Sequence, residues 1–119
     1  MLNMSFFMTQ DQIRQRIKRV TRRIGWNHIK PGMLIRAIVK GQGLKRGEKV
    51  TQLCIIRILS VRRERLSRLI EDPRYGSVEA ELEGFPGWTG QQFVDFICKE
   101  SAGCYPNREV NRIEFEYVD

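Results

Sequence analysis

Residues 50–61 constrain the fold of this chain more than any other stretch, because they form a long apolar run rich in β-branched side chains such as Ile55 and Ile56. Such side chains lose rotamer freedom in a helix and pack well on a pleated sheet, so the run predicts one long strand. Ile113, Phe115 and Tyr117 alternate with Glu114, Glu116 and Val118, which predicts a half-buried last strand. Further strands are predicted at residues 5–8, 20–23 and 33–39.

Two sequences of the capping-box type, residues 9–12 and residues 89–92, predict the starts of helices. In such a box the Thr side chain accepts a backbone N–H three residues on, and the Gln side chain reaches back to the start. After the first box, Ile13 and Ile17 have the spacing of one helix face, and this helix is expected to end near Lys18. Further helical segments are predicted at residues 62–69, 77–82 and after residue 92, where Phe93, Phe96 and Ile97 share one face.

The length of the chain fits one domain. Its 119 residues are 41% hydrophobic and 29% charged, as expected for a globular domain that spans residues 1–119. The predicted elements give the fold class α+β, a small mixed β-barrel with two or three short helices at its rim. No apolar run approaches the ~18 residues of a membrane helix, and the N-terminus lacks the features of a secretory signal. We therefore expect a cytoplasmic protein without membrane association.

The cysteines argue against a metal centre. Cys54, Cys98 and Cys104 include no CxxC pair, and His28 is the only histidine. A structural zinc site needs four such ligands at close spacing, so we expect neither a metal nor another cofactor. Scattered thiols are typical of small buried residues in a reducing cytoplasm. Pairing of Cys98 with Cys104 stays open.

Positive charge is concentrated in the first part of the chain. Of the 21 Lys and Arg residues, 18 lie between Ile13 and Arg74, together with only four of the 14 acidic residues, and the formal net charge is +7. This asymmetry is typical of proteins that bind a polyanion, most often a nucleic acid. The alternative is a solubilising basic surface that folds beside the acidic second part.

The densest basic segment is residues 16–23, where five of eight side chains are cationic. A strand at residues 20–23 places Thr21 and Arg23 on one side, with Arg22 on the other. A polyanion relieves the repulsion among these cations, and so does a carboxylate from the second part of the chain. The carboxylates available for this are Glu79, Glu81 and Glu83.

This segment also suggests chemistry. A lysine that is crowded by arginines and removed from water has its pKa lowered, because both effects disfavour the ammonium. In that state Lys18 can deprotonate a nearby hydroxyl, as a histidine does elsewhere, and Thr21 carries such a hydroxyl. The alternative interpretation is a solvated basic face in which Thr21 is only a strand former.

Two further features fit either a binding protein or an ordinary barrel. Residues 41–49 form a basic, glycine-rich loop in which Lys45 and Arg46 can meet phosphates, or which simply closes a hairpin. Aromatic side chains in loops either stack on bases or plug the ends of a barrel. Those expected in loops are Trp26, Tyr75, Phe85 and Trp88.

The order of these features resembles the ASCH-domain family of the PUA-like superfamily over nearly the whole chain. The family signature is Gly-x-Lys-x-x-x-x-Arg; Lys18 and Arg23 hold its fixed positions, and Arg16 stands at the glycine position. The Glu-Gly-Phe sequence at residues 83–85 and the closing Ile-Glu-Phe-Glu-Tyr strand agree with the family order. The resemblance implies a PUA-like β-barrel with a basic cleft around residues 18–23 that suits RNA or a nucleoside.

The resemblance implies two functions. Family members are proposed to bind RNA, which implies an RNA- or nucleotide-binding module, here expected to be a monomer. The cations of residues 16–23 favour a phosphorylated or polymeric ligand for such a module. The expected ligand-binding residues are Arg19, Arg22, Arg23, Lys45, Arg46 and Trp26.

The second implied function is hydrolysis. One branch of the family is an amidohydrolase that removes the acetyl group of N4-acetylcytidine, and other members are described as ribonucleases. Lys18, Thr21 and Glu83 match the Lys, Thr and Glu of that amidohydrolase branch. In the implied scheme Lys18 activates Thr21, and Glu83 orients Lys18 or moves protons. Arg22 or Arg23 then stabilises the oxyanion or holds a phosphate.

Overall fold

Five strands and four short helices make up the structure, a computed structural model that describes residues 1–119. The strands are β1 (Leu2–Ser5), β2 (Val20–Arg23), β3 (Leu34–Ile38), β4 (Gln52–Arg65) and β5 (Glu109–Tyr117). The helices are α1 (Gln10–Arg14), α2 (Arg68–Glu71), α3 (Pro73–Leu82) and α4 (Gly90–Glu100).

The strands form one curled sheet in the order β1-β3-β4-β5-β2. β1 is parallel to β3, and all other neighbours are antiparallel. The pairing register shifts between Ala37 and Ile38 and again between Ile58 and Ser60. Such irregularities bend strands and increase their twist. The resulting half-barrel with helices confirms the expected α+β fold class, with four helices in place of two or three.

The buried hydrophobic residues form two cores. The first is built largely from strands of the sheet and contains Ile56 of β4 and Phe115 of β5, together with Phe6. The second lies among α2, α3 and α4 and contains Leu69 and Phe93. The aromatic wall of the second core and the polar residues of β2 meet at the candidate site.

The first strand and the first helix differ from the sequence prediction in their bounds. The first strand occupies Leu2–Ser5 rather than residues 5–8, because residues 7–9 form a 3-10 turn. Thr9 makes no side-chain capping bond, so the first capping box is absent. α1 ends at Arg14 instead of near Lys18, because Arg16 has φ 59° and turns the chain out of the helix. Ile17 is therefore 40% exposed instead of sharing the buried face of Ile13.

The region after the long strand also differs from expectation. Residues 62–65 are not helical, because pairing with β5 continues as far as Arg65, opposite Glu109. α3 begins at Pro73 rather than at residue 77, since the Asp72 side chain accepts the N–H of Tyr75 and proline suits a first turn. Tyr75 consequently lies in a helix and not in a loop.

Other sequence predictions are confirmed. The Thr89 capping box is complete, with both reciprocal bonds to Gln92 in place. The strand at residues 33–39 is β3, and the final strand alternates as expected. The expectation of scattered buried thiols holds only for Cys54, because Cys98 and Cys104 are bonded to each other as a disulfide. No helix has both the length and the apolar character needed to cross a membrane.

Gly76 and Gly90 allow the three helices of the second core to touch. A Cβ atom built on Gly76 lies 2.0 Å from the carbonyl oxygen of Leu69 and 2.9 Å from the Cα atom of Gly90. A Cβ atom on Gly90 lies 2.1 Å from the same oxygen. Because the obstructing atoms are backbone, no side-chain rotation relieves the clash, so α2, α3 and α4 pack this closely only around glycine.

We predict that Gly76→Ala lowers the free energy of unfolding by about 3 kcal/mol, because α3 must move away from α2 and α4. Urea unfolding of the variant measures this loss. The matched control is Gly41→Ala, whose Cβ would meet only the Cδ1 atom of Ile38, at 3.4 Å. The control is expected to stay within about 0.5 kcal/mol of the wild type. Equal unfolding midpoints for the two variants would contradict the close helix contact.

Candidate active site

A cavity of about 350 Å³ lies where the two cores meet. Its floor carries the buried polar side chains of Lys18, Thr21 and Glu83. Its apolar walls come from residues of both cores and of the N-terminal turn: Phe6, Phe7, Met8, Ile24, Leu66, Phe85, Phe93, Phe96, Ile97 and Val110. The cavity therefore combines polar side chains that can take part in proton transfer with apolar walls that can contact an aromatic or aliphatic group of a ligand.

Lys18 reaches the floor because α1 ends early and the chain folds back against the turn after α3. The Arg19 N–H donates to the carbonyl of Leu82 at 2.7 Å, which fixes the two segments together. Gly84 has φ 102°, and a Cβ atom there would lie 2.7 Å from Cγ of Gln12. Glycine at this position therefore lets the turn that carries Glu83 approach the segment that carries Lys18.

Arg16 occupies the glycine position of the signature and yet keeps a left-handed backbone at φ 59°. That region favours glycine, and other residues adopt it at a cost of about 1–2 kcal/mol. The Arg16 guanidinium lies over the ring of Tyr117, 5.2 Å from its centroid, and donates to the backbone oxygen of Asp119. Arg16 thus forms the left-handed turn that leads to Lys18, and these contacts hold its side chain against the C-terminal residues.

Glu83 is the glutamate that meets Lys18. The Lys18 ammonium donates to Oε1 of Glu83 at 2.7 Å and to the Glu83 carbonyl oxygen at 2.8 Å, and both residues are only 2% exposed. Burial lowers the pKa of Lys18, because the ammonium loses its water. Glu83 opposes this shift, whereas the charges of Arg23 and Arg22 add to it. The third ammonium N–H has no partner within the chain.

Arg22 connects Glu83 to two further carboxylates. Its Nη1 donates to Oε2 of Glu83 at 2.9 Å, its Nε to Oε1 of Glu64 at 2.9 Å, and its Nη2 to Oε1 of Glu79 at 2.5 Å. Burial disfavours the Arg22 charge, but these carboxylates outweigh it and raise the pKa of Arg22. Arg112 completes the group by donating from Nε to Glu79 at 2.5 Å.

The buried charges balance. Three cations meet three carboxylates in one connected network, so the interior carries no excess charge from these groups. We call this set the buried ion network, and its members are Lys18, Arg22, Arg112, Glu64, Glu79 and Glu83. Such a network is costly to desolvate and is stable only while every charge keeps its partners.

Thr21 and Arg23 lie on the same side of β2, as the alternation of the strand requires. The Nε atom of Arg23 donates to Oγ1 of Thr21 at 3.1 Å, and its Nη2 donates to the backbone oxygen of Ser5 at 2.6 Å. Its guanidinium also lies over the ring of Phe6, 4.7 Å from the centroid. Burial lowers the pKa of Arg23 to about 10, so it remains a cation at neutral pH. Arg23 forms no ion pair with a carboxylate, unlike its neighbour Arg22.

The remaining residues expected at the site lie elsewhere. Arg19, Lys45 and Arg46 are exposed and contribute nothing to the cavity lining. Trp26 lies outside the cavity, half-buried against the first core and stacked on His28 at 5.6 Å between ring centroids. The structure thus brings Lys18, Thr21, Glu83, Arg22 and Arg23 together and leaves the other four apart.

Sequence reasoning missed Glu64 and Arg112. Both join the network through strand pairing. Arg112 of β5 lies opposite Arg22 on β2 and opposite Arg62 on β4, and Glu64 of β4 lies opposite Val110 on β5. The spacing of charges along the chain carries no sign of this register. The one signal in the sequence was the number of cations in and next to β2. If several of them are buried, they need more than one carboxylate as partners.

No family model and no curated protein matches the sequence. The fold is similar to a protein from Enterococcus faecalis V583 described by the family model DUF984, with 19% identity, a TM-score of 0.59, and coverage of 94% of this chain and 68% of that chain. It is also similar to an ASCH domain from Lactobacillus crispatus JV V101, with 15% identity, a TM-score of 0.51, and coverage of 92% and 70%. The expected resemblance to ASCH domains is therefore confirmed for the fold.

We predict that Glu79→Gln lowers the free energy of unfolding at neutral pH by about 3 kcal/mol, because Arg112 loses its buried partner. The hydrogen bonds from Arg112 and Arg22 outweigh the effect of burial and hold the pKa of Glu79 below its ordinary 4.5. Its stabilising effect is therefore present above about pH 4.5 and is lost as the pH falls through the lowered pKa. Urea unfolding from pH 7 to pH 3 is expected to show a shallower acid decline for the variant.

The matched control is Glu116→Gln, which removes an exposed ion pair with Arg57 in which both side chains are 44% exposed. An exposed pair of this kind contributes about 0–1 kcal/mol. Equal losses of stability for the two glutamate variants, or an unchanged acid decline for Glu79→Gln, would show that the network does not contribute in this way.

Proposed function

We propose that the cavity binds an acylated nucleoside of the N4-acetylcytidine type and hydrolyses its amide bond. The observation that carries this proposal is the buried Lys18–Glu83 pair, which shares one cavity with the Thr21 hydroxyl. Burial lowers the pKa of Lys18, so it gives up its proton more readily than an exposed lysine, which suits it to act as a base. In this proposal the protein acts as a cytoplasmic monomer and needs no cofactor.

The chemistry follows from the groups on the floor. Neutral Lys18 takes the proton of the Thr21 hydroxyl as Oγ1 attacks the amide carbonyl carbon. The carbon–nitrogen bond then breaks, and the amine leaves with the proton returned by Lys18. Water, deprotonated by Lys18, attacks the carbonyl carbon of the resulting Thr21 ester. The bond from that carbon to Oγ1 breaks, Oγ1 takes the proton back from Lys18, and the carboxylic acid leaves. Glu83 holds the Lys18 nitrogen in place throughout.

Arg23 is the group suited to the oxyanion. It keeps its charge, lies beside Thr21, and has N–H groups beyond those bonded to Thr21 and Ser5. A cation next to the attacked carbonyl stabilises the negative charge that develops on its oxygen. Arg22 is not free for this role, because its side chain is 0% exposed and bonded to three carboxylates.

The cavity favours a small ligand with little charge. Its volume of about 350 Å³ is at the lower end of the ~300–1,000 Å³ of ligand pockets, enough for a nucleoside but not for a nucleic acid strand. Phe85, Phe93 and Phe96 line the cavity and supply aromatic contacts for a planar base. Arg23 is the one lining cation outside the buried ion network, so the excess of cations that pointed to a polymer is not in the cavity.

A second candidate function is binding of RNA or a nucleotide on the outer surface. The observation that favours it is charge neutrality within the buried ion network, which places the net charge of +7 among the remaining side chains. Lys45 and Arg46 lie in the exposed loop between β3 and β4, and Arg19 is also exposed. Exposed cations of this kind bind phosphates and release counterions from the nucleic acid.

We predict that the wild type releases cytidine from N4-acetylcytidine, and that Lys18→Met and Thr21→Val each lower kcat by at least about 10²–10⁴-fold, because base and nucleophile are lost. Mass-resolved chromatography of the products measures the release. The matched controls are Lys45→Met and Thr51→Val, both exposed and outside the cavity. Full activity in either floor variant, with thermal unfolding unchanged, would exclude this site.

We predict that RNA binding, measured by filter retention at several salt concentrations, weakens steeply with salt. The double variant Lys45→Gln, Arg46→Gln is expected to reduce the slope of log affinity against log salt by about 0.7 for each lost contact to single-stranded RNA. Lys18→Met serves as the control and is expected to bind RNA as the wild type does, because Lys18 is buried. Affinity that is flat with salt would contradict the surface function.

A further inference from the structure

We propose that Arg22 is a positioning residue for the reacting lysine: it holds Oε2 of Glu83, so that Oε1 faces Lys18, and it does not bind the ligand. This inference rests on the proposed function, because it concerns the preparation of the base in that reaction. It assigns to Arg22 a role different from the oxyanion or phosphate contact that the sequence suggested.

The hydrogen bonds of Arg22 leave it little capacity for a ligand. Four N–H groups point at carboxylates: one at Glu83, one at Glu79 and two at Glu64. The side chain is 0% exposed even though the residue forms part of the cavity wall. A guanidinium held on three sides is fixed in both position and direction, so it is suited to orient a neighbour.

The neighbour it orients is Glu83. Its carboxylate is shared between two cations, one on each oxygen. The Nη1 atom of Arg22 donates to Oε2 at 2.9 Å, and the Nζ atom of Lys18 donates to Oε1 at 2.7 Å. If Arg22 were absent, both oxygens of Glu83 would be available to Lys18. The buried ammonium would then be stabilised more strongly, and the free amine would be scarcer at neutral pH.

The charge of Arg22 acts in the same direction. Lys18 is faced by Glu83 from the turn after α3 and by Arg22 and Arg23 from β2. Both arginines lower the pKa of Lys18, and Glu83 raises it. Arg22 thus favours the free amine in two ways, by its own charge and by its share of Glu83.

Glu64 and Glu79 hold Arg22 from the opposite side. Glu64 comes from β4 and also accepts the Tyr75 hydroxyl at 2.8 Å, while Glu79 comes from α3 and also binds Arg112 of β5. Arg62 and Arg68 approach the second oxygen of Glu64 at 3.9 and 4.0 Å. Removing the charge of Glu64 therefore leaves Arg22 less neutralised, which makes the surroundings of Lys18 more positive.

The experiment compares Arg22→Gln with Glu64→Gln. For Arg22→Gln we expect kcat for N4-acetylcytidine at pH 7 to fall at least about tenfold and to recover as the pH is raised, with KM within about twofold of the wild type. For Glu64→Gln we expect the acid limb of the kcat profile to move to lower pH, opposite to Arg22→Gln. Arg22→Lys keeps the charge and is expected to restore part of the loss.

A second measurement needs no substrate. The titration of the Lys18 side chain, followed by NMR of protein with ¹³C-labelled lysine, is expected to move to higher pH in Arg22→Gln and to lower pH in Glu64→Gln. Urea unfolding checks that each variant is folded, and Glu64→Gln keeps the test available if Arg22→Gln does not fold.

The outcomes separate the two proposals. A wild type that releases no cytidine overturns the proposed hydrolysis, while the Lys18 titration still tests the positioning role. A Lys18 titration that does not move in the folded variants overturns the positioning role. An increase in KM for Arg22→Gln, with kcat and its pH profile unchanged, overturns it as well, because Arg22 would then bind the ligand.

Discussion

The contact between Arg22 and Glu83 joins the parts of this molecule that the site requires. It links β2 to the turn after α3, and through Glu64 and Glu79 it extends to β4 and to α3 itself. Burying so many charges is unfavourable unless every one has a partner, so the elements that carry them have a single acceptable arrangement. The position of Lys18 follows from that arrangement rather than from its own backbone alone.

Local patterns predicted the elements, and long-range pairing decided their ends. The capping box at Thr89 could be predicted because all its hydrogen bonds lie within four residues. The Thr9 box failed because the preceding 3-10 turn removes its geometry, and the helix predicted at residues 62–69 failed because β5 offered a partner as far as Arg65. The alternation that placed Thr21 beside Arg23 held because it needs only the period of a strand.

The resemblance to the amidohydrolase branch singled out Lys18 and Thr21 by their spacing, and Glu83 among three candidate glutamates. The structure places Glu79 on the arginines and leaves Glu81 exposed. The sequence could not predict that the N–H groups of Arg22 are bonded to three carboxylates, because those contacts depend on the register of β2, β4 and β5. A count of charges along the chain therefore does not show that Lys18 and Arg22 are paired with carboxylates inside the protein, and that Arg23 beside them is not.

The buried ion network also bears on how the chain folds. Its contacts join residues 33 to 65 positions apart, from Lys18 near the start to Arg112 near the end. Closing such separations costs chain entropy before any contact is gained, which slows folding. During synthesis, Lys18 and Arg22 emerge well before their carboxylates and remain hydrated until those arrive. The network is therefore completed only once the last strand, which carries Arg112, is in place.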